Sequence, residues 1–344
     1  MKKELEKNLI YDVQNDNDSS FQKNIIKKQN LGYLFFVLCN FTRACNSLLI
    51  KYAQRKYYSI YHTIPFLFYR AIFLLFLSQI ITTIKGEHIL YPHEIKTRLF
   101  FFLRTNLNFF GVQLNITAIW YLRVATVQII GSLNPLLTTY LSILILKEKF
   151  YLRYVFGTII CLIGSLFIVL NERKGKNDAG SESGINNNDT EKKYGGFSFG
   201  TIFGLLMAFI DIFFVSTVEL ANKVLVNNKV PIHTQVFYVA LNTIAYSLIY
   251  LFFTHEWEIT PGYGIIIFFQ SVLFYVGNFF FNAGLKYVDL AKSAPFSYLR
   301  VVFVIILGFI ILGENIYFSD LLGAGFIIGY MIYNLYFPIK IEKK

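Results

Sequence analysis

The chain predicts an all-α membrane protein whose ten transmembrane helices form two inverted five-helix repeats, and three observations carry that prediction. The first is a duplication without gaps. Tyr121 to Tyr154 reads against Tyr287 to Asp320 at a constant spacing of 166 positions, which pairs Tyr121 with Tyr287, Ala125 with Ala291, Glu148 with Glu314 and Tyr151 with Tyr317. Gly111 and Gly157 meet Gly277 and Gly323 in the same register. The second is composition: 55% hydrophobic and 18% aromatic residues, gathered in long blocks, exceed what a soluble domain carries. The third is parity. Each half holds an odd number of helices, so the second half must enter the bilayer in the opposite sense to the first.

Lipid offers no partner to an exposed backbone N–H or C=O, so apolar runs of about 18 or more residues span the hydrocarbon core as helices. In order they are expected near 31–50, 64–84, 99–120, 124–146 and 154–171, then 199–222, 232–253, 262–285, 289–312 and 319–338. Residues 1–30 form a polar tail, 31–171 the first repeat, 199–338 the second repeat and 339–344 a short basic tail. Between the halves, residues 172–198 turn to Lys, Gly, Ser, Asn, Asp and Glu, the composition of a disordered linker. Weaker echoes join the starts of the halves: His62-Thr63 faces His233-Thr234, and Gly32 and Lys51 face Gly204 and Lys223, 172 positions on. Gly200/Gly204 and Gly325/Gly329 have the spacing that lets helix backbones approach closely.

The net charge of +11 does not imply nucleic acid, because the basic residues flank the spans. Placing both tails in the cytosol puts about twice as many Lys and Arg on that side as on the other, as the positive-inside rule asks. Cys39, Cys45 and Cys161 fall inside predicted helices and make neither a disulfide framework nor a metal spacing. No apolar run precedes the first span, so that helix is expected to act as an uncleaved insertion signal. Asn188-Asp189-Thr190 in the linker is a glycosylation sequon and hence a topology probe. The five histidines are expected mostly in loops, with no catalytic or metal cluster among them and no resident cofactor.

Leu146-Lys147-Glu148-Lys149 followed by Gly157 and Gly164, and Gly313-Glu314 followed by Gly323, resemble the repeats of EamA-like members of the drug/metabolite transporter superfamily. Tyr69-Arg70 in the second span and Asn46 to Lys51 in the first fit the same pattern. The resemblance covers nearly everything outside the tail and the linker. It implies a secondary transporter whose two halves surround a site near the bilayer midplane, and leaves the solute open among amino acids, other metabolites, nucleotide sugars, phosphorylated compounds and drugs. Triose-phosphate-type members carry adjacent Lys-Arg late in the chain. Here the pair is Leu299-Arg300, a departure that argues against phosphate exchange.

Polar groups are costly inside a bilayer and face a wet or protein interior, so helical spacing marks the wet face. Asn40, Arg43 and Ser47 share a face of the first span; Arg104, Asn108, Gly111 and Asn115 share one of the third. The fourth presents Gln128, Ser132, Pro135, Thr139 and Ser142 with Asn134 beside them. In the second half the stripes are Asp211, Glu219 and Asn222; Ser271, Tyr275, Asn278 and Asn282; and Ser293, Ser297 and Arg300. Arg300 stands where the first half has Asn134, so the candidate solute contacts centre on that pair.

Arg43, Arg70, Arg104 and Arg300 outnumber Asp211 and Glu219 in the spans, and a guanidinium is a fixed fork for carboxylate or phosphate. An anionic or zwitterionic organic metabolite is therefore the expected solute, bound by Arg300, Asn134, Arg43, Asn40, Arg104, Asn108, Gln128, Ser297, Asn278 and Asn282. Each has a bland alternative. Arg104 lies near a predicted helix start, where it would snorkel to the interface. Arg43 would pair with Asp211 or Glu219, and the Asn and Ser side chains would glue helices together. Glu148 and Glu314 read as helix-end groups bonding local backbone or cations. Pro135 and Pro295 are candidate bends in the fourth and ninth spans. Asp211 and Glu219 are candidates for an ion pair or for coupling to protons, with a counter-exchanged solute the other driving force, since no ATP-binding loop is present. The rival class is an exporter of organic cations or drugs that uses those two acids. A receptor or structural protein would gain nothing from inverted duplication, and a membrane enzyme would need a catalytic cluster that the sequence lacks. Which membrane holds the protein, and its oligomeric state, are not encoded in these features.

Overall fold

The computed structural model describes residues 27–50, 52–53, 56–57, 63–87, 89, 92, 94–121, 130–148, 152–153, 155–164, 199–255, 257, 260–312 and 318–336. Gln128, Glu314, Lys51, the sequon, the linker and both chain ends lie outside them. The described residues are helical and contain no strand. They form α1 (Lys27–Ile50), α2 (Thr63–Lys85), α3 (Ile95–Tyr121), α4 (Asn134–Leu146) and α5 (Val155–Gly164). Then follow α6 (Phe199–Asn227), α7 (Ile232–Thr254), α8 (Pro261–Leu285), the short α9 (Leu290–Ser293), a 3-10 turn (Ala294–Tyr298), α10 (Leu299–Leu312) and α11 (Phe318–Tyr336).

Among the described residues, 6 helices are long and apolar enough to cross a membrane: α1, α2, α6, α7, α8 and the continuous run Leu290–Ile311. Within α4, α5 and α11 the apolar stretches are shorter. With 27 residues α3 is about 40 Å long, beyond the ~30 Å hydrocarbon core, and its basic first turns dilute its hydropathy. The ninth expected span is not one regular helix, because Pro295 enters it at the 3-10 turn. Pro135, expected as a bend, instead sits in the first turn of α4, where its missing N–H costs nothing.

The duplication is visible in the packing. A Cβ placed on Gly111 of α3 would meet Phe214 and Val215 of α6, and one on Gly277 of α8 would meet Thr42 and Arg43 of α1. Those partners are themselves 172 positions apart, so both halves use one glycine-lined crossing. Where Arg104 and Asn115 reach Asn222 and Asp211, residue numbers rise on α3 as they fall on α6, and the pair is antiparallel. The α1 and α8 pair is antiparallel too, with Gly32 against Val288 and Phe36 against Phe281.

The two halves also share a core. Tyr33 of α1 stacks on Phe296 with ring centroids 4.6 Å apart, in a cluster that reaches Cys161 of α5 and Ile327 of α11. Gly164 faces the backbone oxygen of Gly323, and the Tyr330 ring covers Gly157, which binds α5 to α11. Gly325 and Gly329 meet no partner among the described residues, where their spacing suggested close packing. They lie instead along a shallow apolar groove of about 510 Å³ with Arg153, Phe156, Phe326 and Tyr330.

Candidate functional site

Helices α1, α4, α6 and α10 bring one polar cluster together. Glu219 of α6 is buried and receives three contacts: Arg43 Nη1 of α1 at 3.5 Å, Asn134 Nδ2 at 3.4 Å and Thr138 Oγ1 at 3.2 Å, the last two from α4. Ser216, one turn before Glu219, donates to Asn134 Oδ1 at 2.7 Å and fixes the amide with its nitrogen toward the carboxylate. Arg43 also lies over the Phe281 ring of α8, 4.6 Å from its centroid. The alternative in which Arg43 pairs with an acid is thus the one realised, and the acid is Glu219. Asp211, two turns away along α6, takes Asn115 Nδ2 at 2.7 Å, while its Oδ1 is buried without a partner among the described residues.

Arg300, at the start of α10, donates from Nη2 to Ser47 Oγ of α1 at 2.7 Å, and Ser47 in turn donates to the Arg43 carbonyl at 2.9 Å. No carboxylate lies within salt-bridge distance of Arg300 among the described residues. Arg300 is exposed, yet it lies close enough to Arg43 and Glu219 to feel both charges. The arrangement is the partner of the Glu219 cluster under the repeat: Arg300 matches Asn134 and Ser47 matches Glu219, at offsets of 166 and 172. Nearby, Tyr298 Oη donates to the Ser132 carbonyl at 2.8 Å, joining residues that are themselves repeat equivalents.

Several expected contacts are spent locally. Asn40 donates to Phe36 O, Asn278 to Phe274 O and Asn282 to Asn278 O, each four residues back in its own helix. Each keeps a second N–H and an acceptor oxygen, and among the described residues the oxygen of Asn282 is buried and unpartnered. Ser297 is half-buried in the 3-10 turn. Arg104 does not snorkel. The helix starts nine residues earlier than Arg104, about 14 Å away along the axis, and the side chain is 3% exposed, bonded through Nε to Asn222 Oδ1. Asn108, one turn on, is half-buried with its amide nitrogen unpartnered.

Glu148 is a helix-end group, and the helix it serves belongs to the other half. Lys147 takes a left-handed φ of 53° at the end of α4, and the next residue aims its carboxylate at the start of α9. Its oxygens accept from the Leu290 and Ala291 N–H groups at 3.1 and 3.0 Å. Beside it, buried Lys223 of α6 donates to the Leu285 and Val288 carbonyls at 2.7 and 2.9 Å and closes the end of α8. His233, expected in a loop, is in the first turn of α7, 1% exposed and 3.2 Å from Glu87. Thr138 and Ser216 escaped the sequence reading; Thr138 stands four residues after Asn134, which is the signal that would have found it.

Duplicated glycine crossings, a paired carboxylate and a polar centre inside apolar helices are what the family comparison meets. The model of the EamA-like transporter family matches residues 30–170 and 202–335. This chain belongs to that family. The EamA-like protein is accordingly a multi-pass membrane transporter of small molecules. A solved protein crystal structure shares its fold, with a TM-score of 0.65 over 88% of this chain and 95% of that one, at 14% identity. No curated protein sequence matches the chain.

Proposed function

We propose that this EamA-like protein is a secondary transporter of a small organic anion or zwitterion, working by alternating access between two inverted five-helix halves. One observation carries the solute class: Glu219 neutralises Arg43, while among the described residues Arg300 has only the neutral Ser47 as a partner. Together the three charges leave the cluster with one net positive charge. That excess complements one carboxylate or phosphate oxygen set, and Arg300 supplies the planar fork for it. Asn134, Ser297 and the acceptor oxygens of Asn278 and Asn282 supply polar contacts for the rest of the solute. The antiparallel α3/α6 and α1/α8 crossings support inversion, and loop charge supports cytosolic termini.

The test is uptake by the purified protein in liposomes, with anionic, zwitterionic and cationic metabolites in parallel and Arg300→Ala beside the wild type. Saturable uptake of an acid that the variant loses is the expected result. Uptake of cations alone, unchanged in the variant, would overturn the assignment.

A second reading rests on Asp211, which is buried, lacks a cation partner among the described residues and leaves one oxygen unbonded. Such a carboxylate suits proton coupling better than Glu219, whose oxygens are engaged. Asp211→Asn should then remove uptake driven by a pH gradient while leaving solute exchange intact; equal loss of both rejects the coupling role.

A further inference from the structure

Arg104 is a charge that the cluster around Glu219 does not use. It is 3% exposed, about 14 Å inside α3, and held by a neutral partner, Asn222. Among the described residues its Nη1 is buried with no partner, and no carboxylate lies within bridging distance. One turn on, the same face presents Asn108, whose Nδ2 is also buried and unpartnered. Both orphaned atoms are donors.

An ion left unpaired inside a membrane is costly enough that its partner must be sought. Here the helices that pack on α3 supply none. A bridging water would satisfy one donor and leave the charge in place. An oxyanion has acceptors enough for both donors and offsets the charge as well. The second half carries no counterpart. Arg104 matches Gln270, a neutral buried amide, and Asn108 matches Phe274, which lies under Arg70 instead.

We propose that Arg104 and Asn108, with Asn222 holding the guanidinium, form an oxyanion site that takes one carboxylate or phosphate group and is distinct from the Arg300 centre. The group comes either from a free small anion or from the acidic part of a larger organic solute. The site does not depend on Arg300 being the transport contact.

The test is the melting temperature of the full chain in lipid nanodiscs at constant ionic strength. Four probes are titrated against sodium chloride: acetate, inorganic phosphate, malate and glycerol 3-phosphate. At least one gives a saturable rise in wild type and in Arg300→Ala, and none gives it in Arg104→Gln. Protection by acetate or phosphate assigns the site to a free anion; protection by the organic acids alone assigns it to a solute's acidic group. If Arg104→Gln does not fold, Asn108→Leu keeps the arginine and should weaken the apparent affinity at least fivefold. No saturable rise with any probe, a rise that survives Arg104→Gln, or an unchanged affinity in Asn108→Leu overturns the site. A rise lost only in Arg300→Ala overturns it too, and leaves the Arg300 reading standing. Failure of that reading is seen separately, in liposome uptake.

Discussion

The two halves of the polar centre differ more than the two halves of the fold. At the glycine crossings the backbones repeat, with Gly111 against Phe214 and Val215 and Gly277 against Thr42 and Arg43. Beside them the chemistry diverges. One half-site joins Asn134, Thr138 and Ser216 to a carboxylate; its repeat equivalent joins Ser47 to a guanidinium. Close packing tolerates little at a crossing, whereas a polar position facing a wet interior tolerates any group whose partner is near. The repeat thus marks where the helices cross, and in the proposed carrier the charges that break its symmetry select the solute.

The strongest break in that comparison is Arg300→Ala, which should lower liposome uptake of an anionic solute by roughly 10- to 150-fold, the cost of losing a charge-assisted contact. Arg300→Lys keeps the charge without the planar fork and should recover part of the rate. Next comes the other half-site. Glu219→Gln leaves Arg43 without its counter-ion and should cost about 2–3 kcal/mol, less than a fully buried pair because the Arg43 side chain is 29% exposed. Chemical denaturation in detergent measures it. Replacing both, as Arg43→Met with Glu219→Leu, should restore most of the stability while transport remains lost.

Much of this was legible in the sequence, for a physical reason. Lipid demands unbroken apolar runs, so α2, α7 and α8 fall within a residue or so of expectation, and α3 begins four residues early because its polar first turn protrudes from the core. The stripes placed Arg43, Asn134, Glu219 and Arg300 on inward faces, and the structure brings those faces near one another. Pairing was not legible. That Arg43 meets Glu219 and not Asp211 depends on the height of α1 against α6, a difference of eight residues, or about 12 Å. Nor can spacing tell that Asn40, Asn278 and Asn282 satisfy their own helix backbone before any solute. Small-residue spacing misled at Gly325/Gly329, because it says that approach is permitted and not that a partner exists.

The packing side of the comparison is sharpened at α5 and α11. An added methyl on Gly164 would come within 2.8 Å of the Gly323 carbonyl oxygen, a backbone atom that cannot turn aside. Gly164→Ala should therefore cost roughly 1–3 kcal/mol, the usual range for overpacking. Gly325→Ala, facing open space, should change stability by less than about 0.5 kcal/mol. Equal melting temperatures for the two variants would mean that α5 and α11 do not meet at Gly164.

The smallest effect probes the place where the halves touch through equivalent residues. Tyr298 Oη donates to the Ser132 carbonyl, so removing one hydroxyl in Tyr298→Phe deletes a bond between repeat mates without creating a cavity. The ring is 2% exposed and the tyrosine hydroxyl has no other hydrogen bond among the described residues, so the loss should be about 1 kcal/mol. In a carrier whose halves rock about this contact, the bond belongs to one conformation and is strained or absent in the other. Tyr298→Phe should then shift the balance between inward and outward states as well as stability, read as a change in the ratio of uptake to efflux affinity in oriented liposomes. A stability loss with that ratio unchanged would place the bond in both states and move the pivot elsewhere.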